Sequence, residues 1–226
     1  MAMTPLIRIT DDDARVRESV AFLLRLDGWE TVEYESAEDF LAKDGCTRPG
    51  CLILDIRMPG MSGLELQLRL RRAGVTLPIL FLTGHGDIQT AVMALKRGAA
   101  DFVTKPMDPD ALQAAVKKLT AWHLAVYEKE AAHNKAAALY ATLTGKEKEI
   151  CRRVAAGALN KQIAIDSGIS EQTVKTHRGN VMHKLGLRSA VELAAFLRLA
   201  DEKPETDFPI TLENDESSLP GSDLQS

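Results

Sequence analysis

Cysteine is scarce in this sequence of 226 residues: Cys46, Cys51 and Cys151 are the only three, and no two form a CxxC pair. A scattered, odd-numbered set without clustered histidines excludes a disulfide framework and a structural zinc site. It reads as reduced packing residues. Long apolar runs are missing as well. No stretch approaches the roughly 18 apolar residues of a membrane span, and no basic segment leads into an apolar one at the N-terminus, so neither a span nor a signal peptide is expected. The expected setting is therefore cytoplasmic. Internal repeats are absent too.

What is present is 45% hydrophobic and 27% charged, the composition of a soluble globular protein with one core-bearing domain and a smaller second one. The formal net charge of −4 conceals an uneven distribution. Residues 143–200 carry ten Lys and Arg against five Asp and Glu, whereas residues 201–226 carry one Lys against eight acids. A basic segment followed by an acidic end points to a polyanion-binding module beside a solvated tail.

Between residues 6 and 119, apolar strand patterns alternate with amphipathic helix patterns, the sequence form of an α/β fold with a five-stranded, doubly wound parallel sheet. Strands are expected at Leu6–Thr10, Thr31–Tyr34, Cys51–Leu54, Ile79–Leu82 and Asp101–Thr104. Helices are expected over about 14–26, 36–41, 62–72 and 88–97, the first with Val16, Val20, Leu23 and Leu24 inward, the third with Leu64, Leu68 and Leu70 or Leu66. Arg8 and Thr10 make the first strand more polar than a buried strand usually is, which suggests a looser sheet edge. The segment Cys51–Leu54 is apolar without interruption and ends on Asp55, and Pro59, Gly60 and Gly63 then break the chain.

Parallel strands all end on one side, so the residues that follow them converge at one edge. Here these are Asp11 and Asp12, Asp55, Thr83 and Lys105. Three carboxylates together call for a hard divalent cation, and Mg²⁺ suits an oxygen-only set that must leave positions open. Asp55 can serve as a nucleophile toward a phosphoryl group, with Lys105 and Thr83 contacting the equatorial oxygens. Asp13 is read as a helix cap, although the triple Asp leaves the metal ligands uncertain in register by one residue.

The pieces DDD at 11–13, LILDIRMPGMSG at 52–63, FLTGHGD at 81–87 and ADFVTKP at 100–106 resemble the receiver domain of two-component response regulators of the FixJ/NarL group. The resemblance implies a CheY-like fold, Asp55 as phosphoacceptor, Mg²⁺ held by Asp11, Asp12, Asp55 and the Arg57 carbonyl, and a cis Lys105-Pro106 peptide. It also implies a switch in which Phe102 turns inward as Thr83 moves toward the phosphoryl group, with Arg57 and His85 flanking the pocket. A rival reading, an aspartate-nucleophile phosphatase, would want a second carboxylate two residues after the nucleophile, where Arg57 stands; another is a DNA-binding regulator whose receiver acts without phosphorylation.

No Gly or Pro interrupts the chain from 110 to 140, which predicts a helix of about thirty residues. Leu112, Val116, Leu119, Trp122 or His123, Val126 and Tyr127 are candidates for a dimer seam, the alternative being a solvated spacer. Beyond it, TGKE at 144–147 has capping-box spacing, and GIS at 168–170 is a turn ending in an N-cap serine between a short helix and a longer basic one. That is helix-turn-helix grammar. On the second helix Lys175, Thr176 and Gly179 are expected at base edges, with Asn160, Lys161, Thr173, Arg178 and Lys184 at phosphates.

Residues 143–199 also resemble the LuxR-type four-helix DNA-binding domain, whose last helix, here with Val191, Leu193, Ala194 and Leu197, is implied to pair two copies. The expected organisation is a receiver over 1–119, a linker helix over 120–142, an all-α helix-turn-helix domain over 143–200 and a disordered acidic tail over 201–226. The implied partners are a sensor histidine kinase, double-stranded promoter DNA, a second copy on activation and RNA polymerase; no membrane partner and no enzymatic activity are expected.

Overall fold

A computed structural model describes residues 3–84, 95, 98–203 and 208. Five strands, β1 (Leu6–Thr10), β2 (Glu30–Tyr34), β3 (Gly50–Asp55), β4 (Ile79–Thr83) and β5 (Asp101–Thr104), form one sheet in the order β2-β1-β3-β4-β5. Every pairing is parallel. This is the doubly wound order of flavodoxin-like folds, with its switch point between β1 and β3. The helix expected from Ile88 to Arg97 falls, apart from Leu95, outside the described residues, and so do His85 and most of the acidic tail.

The period of two along the strands separates two cores. Cys51 and Ile53 of β3, Ile7 and Ile9 of β1, and Leu80 and Leu82 of β4 face one side. That side is covered by α1 (Ala14–Leu26) and by the first turns of the long helix α4 (Pro109–Ala141). Leu52, Leu54, Ile79 and Phe81 face the other side, with Phe40 of α2 (Ala37–Lys43) and Leu66 and Leu70 of α3 (Gly63–Arg72). Leu68 of α3 is instead 45% exposed. Leu66 and Leu70 are one helical repeat apart, Gln67 is buried beside them and Leu64 packs partly buried against the same cluster, so of the expected stripe only Leu68 turns outward.

Arg8 overturns the looser-edge expectation. β1 lies between β2 and β3, and Arg8 is 1% exposed, its Nε 2.6 Å from Asp44 Oδ2. Its guanidinium also donates to the Leu6 and Arg48 carbonyls, and the Tyr34 hydroxyl donates to the same Asp44 oxygen at 2.6 Å. Burial works against the Asp44 carboxylate, yet the Arg8, Tyr34 and Cys46 donors outweigh it and hold its pKa below the ordinary value.

The seam expected along the long helix is corrected in its first half. Leu112, Val116 and Leu119 are fully buried against the sheet, and His123 is 3% exposed. Its Nδ1 lies 3.0 Å from the Gly50 carbonyl, and its Nε2 lies 3.3 Å from the Thr76 hydroxyl. An apolar stripe with helical period announces a covered face without saying what covers it, and here the cover is the chain's own sheet.

The chain divides between His123 and Leu124 into two compact units. In the second, α5 (Gly145–Ala155), α6 (Asn160–Ser167), α7 (Glu171–Leu185) and α8 (Ala190–Asp201) surround Ile150, Val154, Ile163, Val174, Val181 and Leu193, with Leu139 and Tyr140 of α4 packed alongside. Leu193 and Leu197 of α8 face this core, so of the pairing surface expected on that helix only Val191, 80% exposed, is strongly presented outward. Among the described residues no helix is long and apolar enough to cross a membrane.

Candidate phosphoryl-acceptor pocket and helix-turn-helix face

The pocket forms where β1, β3, β4 and β5 end. Asp11, 1% exposed, follows β1 directly, and its Oδ1 accepts from the Asp13 N–H. Asp13 caps α1 by accepting from the Arg15 N–H. Arg17, on the first turn of α1, donates to the Asp11 and Asp12 carbonyls and so fixes the acidic turn from behind. Asp12 itself is exposed.

Asp55 ends β3, with its side chain 10% exposed. Its Oδ2 accepts from the Arg57 N–H and its Oδ1 from Lys105 Nζ, each at 2.6 Å. The same ammonium lies 2.7 Å from Asp11 Oδ2. Burial pushes the Asp55 carboxyl up; Lys105 pulls it back, Asp11 adds to the rise, and the net shift is upward. For Lys105 burial is the largest single influence and works downward, but hydrogen bonds to Asp11 and Asp55 outweigh it and hold the ammonium charged. The Lys105 N–H donates to the Thr83 carbonyl at 2.7 Å, tying the end of β5 to that of β4, and Lys105-Pro106 is cis.

Thr83 is fully buried, and its Oγ1 has no hydrogen-bond partner among the described residues. Buried hydroxyls are normally satisfied, and among the described residues only those of Thr10 and Tyr140 share this state. Phe102 is half-buried at the fringe of the core that contains Phe81.

The donor set fits a hard cation in part. Two carboxylate oxygens, from Asp11 and Asp55, converge on one point where the lysine ammonium supplies the positive charge. Asp12 does not join them, and among the described residues no group of three acidic, histidine or cysteine side chains is clustered for a metal.

Two supports were not legible in the sequence. Glu38 of α2 accepts from the Met61 N–H at 2.9 Å and steadies the turn after β3. Gly63 opens α3 so close to the strand end that a Cβ there would collide with the Asp55 carbonyl oxygen. In the sequence Gly63 reads only as a chain breaker.

In the second unit Gly168, at φ 62°, ends α6, and Ser170 caps α7 by accepting from the Thr173 N–H. Val174, Val181 and Leu185 face the core, which leaves Gln172, Lys175, Thr176, Gly179, Asn180 and His183 along one exposed face. Gln172 and Asn180 carry no signal in the sequence beyond their helical spacing from Lys175 and Thr176, while His183, expected as a solvated or DNA-facing histidine, is exposed on this face. A Cβ at Gly179 would meet open space.

Arg178 donates to Asn160 Oδ1 at 3.2 Å, linking the two helices, and Lys161 is exposed at the start of α6. The Thr173 hydroxyl pairs with the Ser170 hydroxyl, and Lys175 sits 3.2 Å from Glu171. Lys184 lies 2.8 Å from Glu147 Oε2. Glu147 closes the capping box of α5 with Thr144, and the Lys184 ammonium, with the Thr144 N–H, lowers its pKa to about 2. The Lys184 charge thus already ties α7 to α5.

The five-stranded sheet with its acid edge, followed by a four-helix unit around a helix-turn-helix, defines a two-component regulator with a DNA-binding domain. Residues 7–117 match the response regulator receiver domain, and residues 141–197 match the bacterial regulatory proteins of the luxR family. The response regulator protein TmoT of Ectopseudomonas mendocina is 44% identical over 189 residues, 83% of this chain and 85% of that protein. The transcriptional regulatory protein FixJ of Azorhizobium caulinodans is 39% identical over 201 residues, 89% of this chain and 95% of that one. Among solved structures, the response regulator StyR superposes with a TM-score of 0.81 at 39% identity, covering 86% of this chain and 98% of that chain. The chain belongs to the FixJ/NarL family of response regulators.

Proposed function

We propose that Asp55 accepts a phosphoryl group from a sensor histidine kinase and that this controls binding of the C-terminal unit, as a dimer, to promoter DNA. The observation that carries the reading is the convergence at one sheet edge of Asp55, Asp11, Lys105 and the buried, unpartnered Thr83 hydroxyl. An Asp55 carboxylate oxygen forms the bond to phosphorus as the bond from phosphorus to the kinase histidine breaks. Lys105 and Thr83 then contact the phosphoryl oxygens, and Phe102 follows Thr83 as the switch.

Receiver domains as a class bind Mg²⁺ at this place; here Asp11, Asp55 and the Arg57 carbonyl, with Asp12 brought in from the surface, would hold it. When bound, the ion supplies neutralisation of the phosphoryl charge. An added charge of about −1.5 to −2 biases a two-state element by about 1–3 kcal/mol, which shifts populations rather than switching all molecules. In the second unit Lys175, Thr176 and Gly179 read base edges, while Asn160, Lys161, Thr173 and Arg178 contact phosphates. Lys184 reaches a phosphate only by sharing its ammonium with Glu147.

The receiver runs over 1–119, the linker over 120–142 and the DNA-binding domain over 143–200, ahead of an acidic tail over 201–226. The division after His123 and the two family matches support this partition. The protein works in the cytoplasm, regulates rather than catalyses, and meets RNA polymerase at the promoter.

Asp55→Asn is expected to abolish labelling by acetyl phosphate with Mg²⁺, while leaving the thermal unfolding midpoint close to that of the native chain; labelling that survives refutes the assignment. DNA binding that is unchanged by an acyl-phosphate mimic favours a receiver that acts without phosphorylation.

A further inference from the structure

Within the acidic tail, Phe208 is the only aromatic residue among 26, eight of which are acids. Its ring packs edge-to-face on Trp122 of α4, with centroids 5.1 Å apart and planes at 74°. The Lys118 ammonium lies 5.6 Å from its centroid. Phe208 is half-buried at the fringe of the apolar cluster that also holds Val16, Trp29 and Met107.

We propose that the tail is a docked element of the receiver unit, anchored by Phe208 on the face of α4 that presents Lys118 and Trp122. Residues 118 and 122 are one helical repeat apart, and Ala114 and Asp110 continue the same stripe. There the stripe forms one wall of a groove whose other wall is Asp27 and Trp29, with Lys117 on the helix side. Trp29 belongs both to this groove and to the cluster that Phe208 touches.

The seated ring selects the tail as occupant: Phe208 is its one large apolar ring, with edge-to-face geometry on Trp122 and the Lys118 cation over its face. Asp27 and Asp110 on the same groove offset Lys117 and Lys118, so the ring contact rather than net charge carries the seat.

Trp122 provides the test in the full chain, with Trp29→Phe leaving it as the one tryptophan. Phe208→Ala is expected to raise acrylamide quenching of Trp122 and to speed cleavage at Glu213 and Glu216 by a Glu-specific protease, each roughly two- to tenfold, as loss of one aromatic contact implies. Lys118→Glu is expected to move both readouts in the same direction, since it replaces the cation over the ring with a like charge for the tail. Unchanged quenching and unchanged cleavage in Phe208→Ala overturn the proposal. Protection that disappears on tenfold dilution of the unsubstituted tail also overturns it, because the seat is then on a second copy.

Discussion

Acidification from about pH 7 to about pH 5 is expected to destabilise the receiver unit through one residue, His123. Its ring is 3% exposed and sits between Gly50, where β3 begins, and Thr76. Burial drives its pKa down from 6.5 to about 4, with help from the Arg8 charge and against the bond to the Gly50 carbonyl. The folded chain therefore resists a proton that the unfolded chain accepts near 6.5. Stability is fully present above that value and is lost as pH falls toward 4. At about 1.4 kcal/mol per pH unit the full linkage approaches about 3 kcal/mol, and about 2 kcal/mol of it falls between pH 7 and pH 5.

His123→Gln keeps a donor and an acceptor without a titration. Denaturant midpoints of the native and variant chains at about pH 7, 6 and 5, converted with a common m-value, give the difference. Asp55 titrates with the opposite sign, because its raised pKa favours the folded state as pH falls, and the comparison at matched pH removes it. Equal pH slopes for the two chains would refute the assignment of a buried, neutral imidazole.

Arg8→Met leaves the Asp44 carboxylate buried without its cation and is expected to cost about 3–5 kcal/mol in chemical unfolding, most of which the double variant Arg8→Met/Asp44→Leu recovers. Lys105→Ala leaves Asp11 and Asp55 facing each other without a cation and is expected to slow acetyl phosphate labelling about 100-fold while the fold persists. Lys184→Ala is expected to move acid unfolding of the DNA-binding unit to higher pH. The carboxylate of Glu147 contributes stability above about 4.5 that is lost as pH falls to about 2, and Lys184 is the main cause of that depression. Lys175→Ala should instead leave unfolding unchanged and relax sequence preference on DNA; indistinguishable effects of the two lysine variants would refute this division of roles.

The acid pocket was legible because its logic is topological. Strand-helix alternation forces parallel strands, and parallel strands deliver their C-terminal neighbours to one edge, so Asp11, Asp55, Thr83 and Lys105 could be grouped without coordinates. The helix-turn-helix was legible for a similar reason, since Gly168 and Ser170 are local signals for a stop and a start. The exposure of Asp12 and the capture of Lys184 by Glu147 were not, because each depends on which atoms meet across elements distant in sequence.

Residue order and elementary chain physics therefore determined the alternation, the caps, the convergence of Asp11, Asp55 and Lys105 at one edge and the existence of a long helix, all of which rest on spacings of a few residues or on the common direction of strands. Only the tertiary structure decided how buried charge and apolar stripes are matched. Arg8 found Asp44, 36 residues away, and so stands in the middle of a sheet. The stripe of Leu112, Val116 and Leu119 found the chain's own sheet, and His123 found Gly50. A side chain's pattern states that it needs a partner, while the partner is set by packing that brings remote segments within a few ångströms.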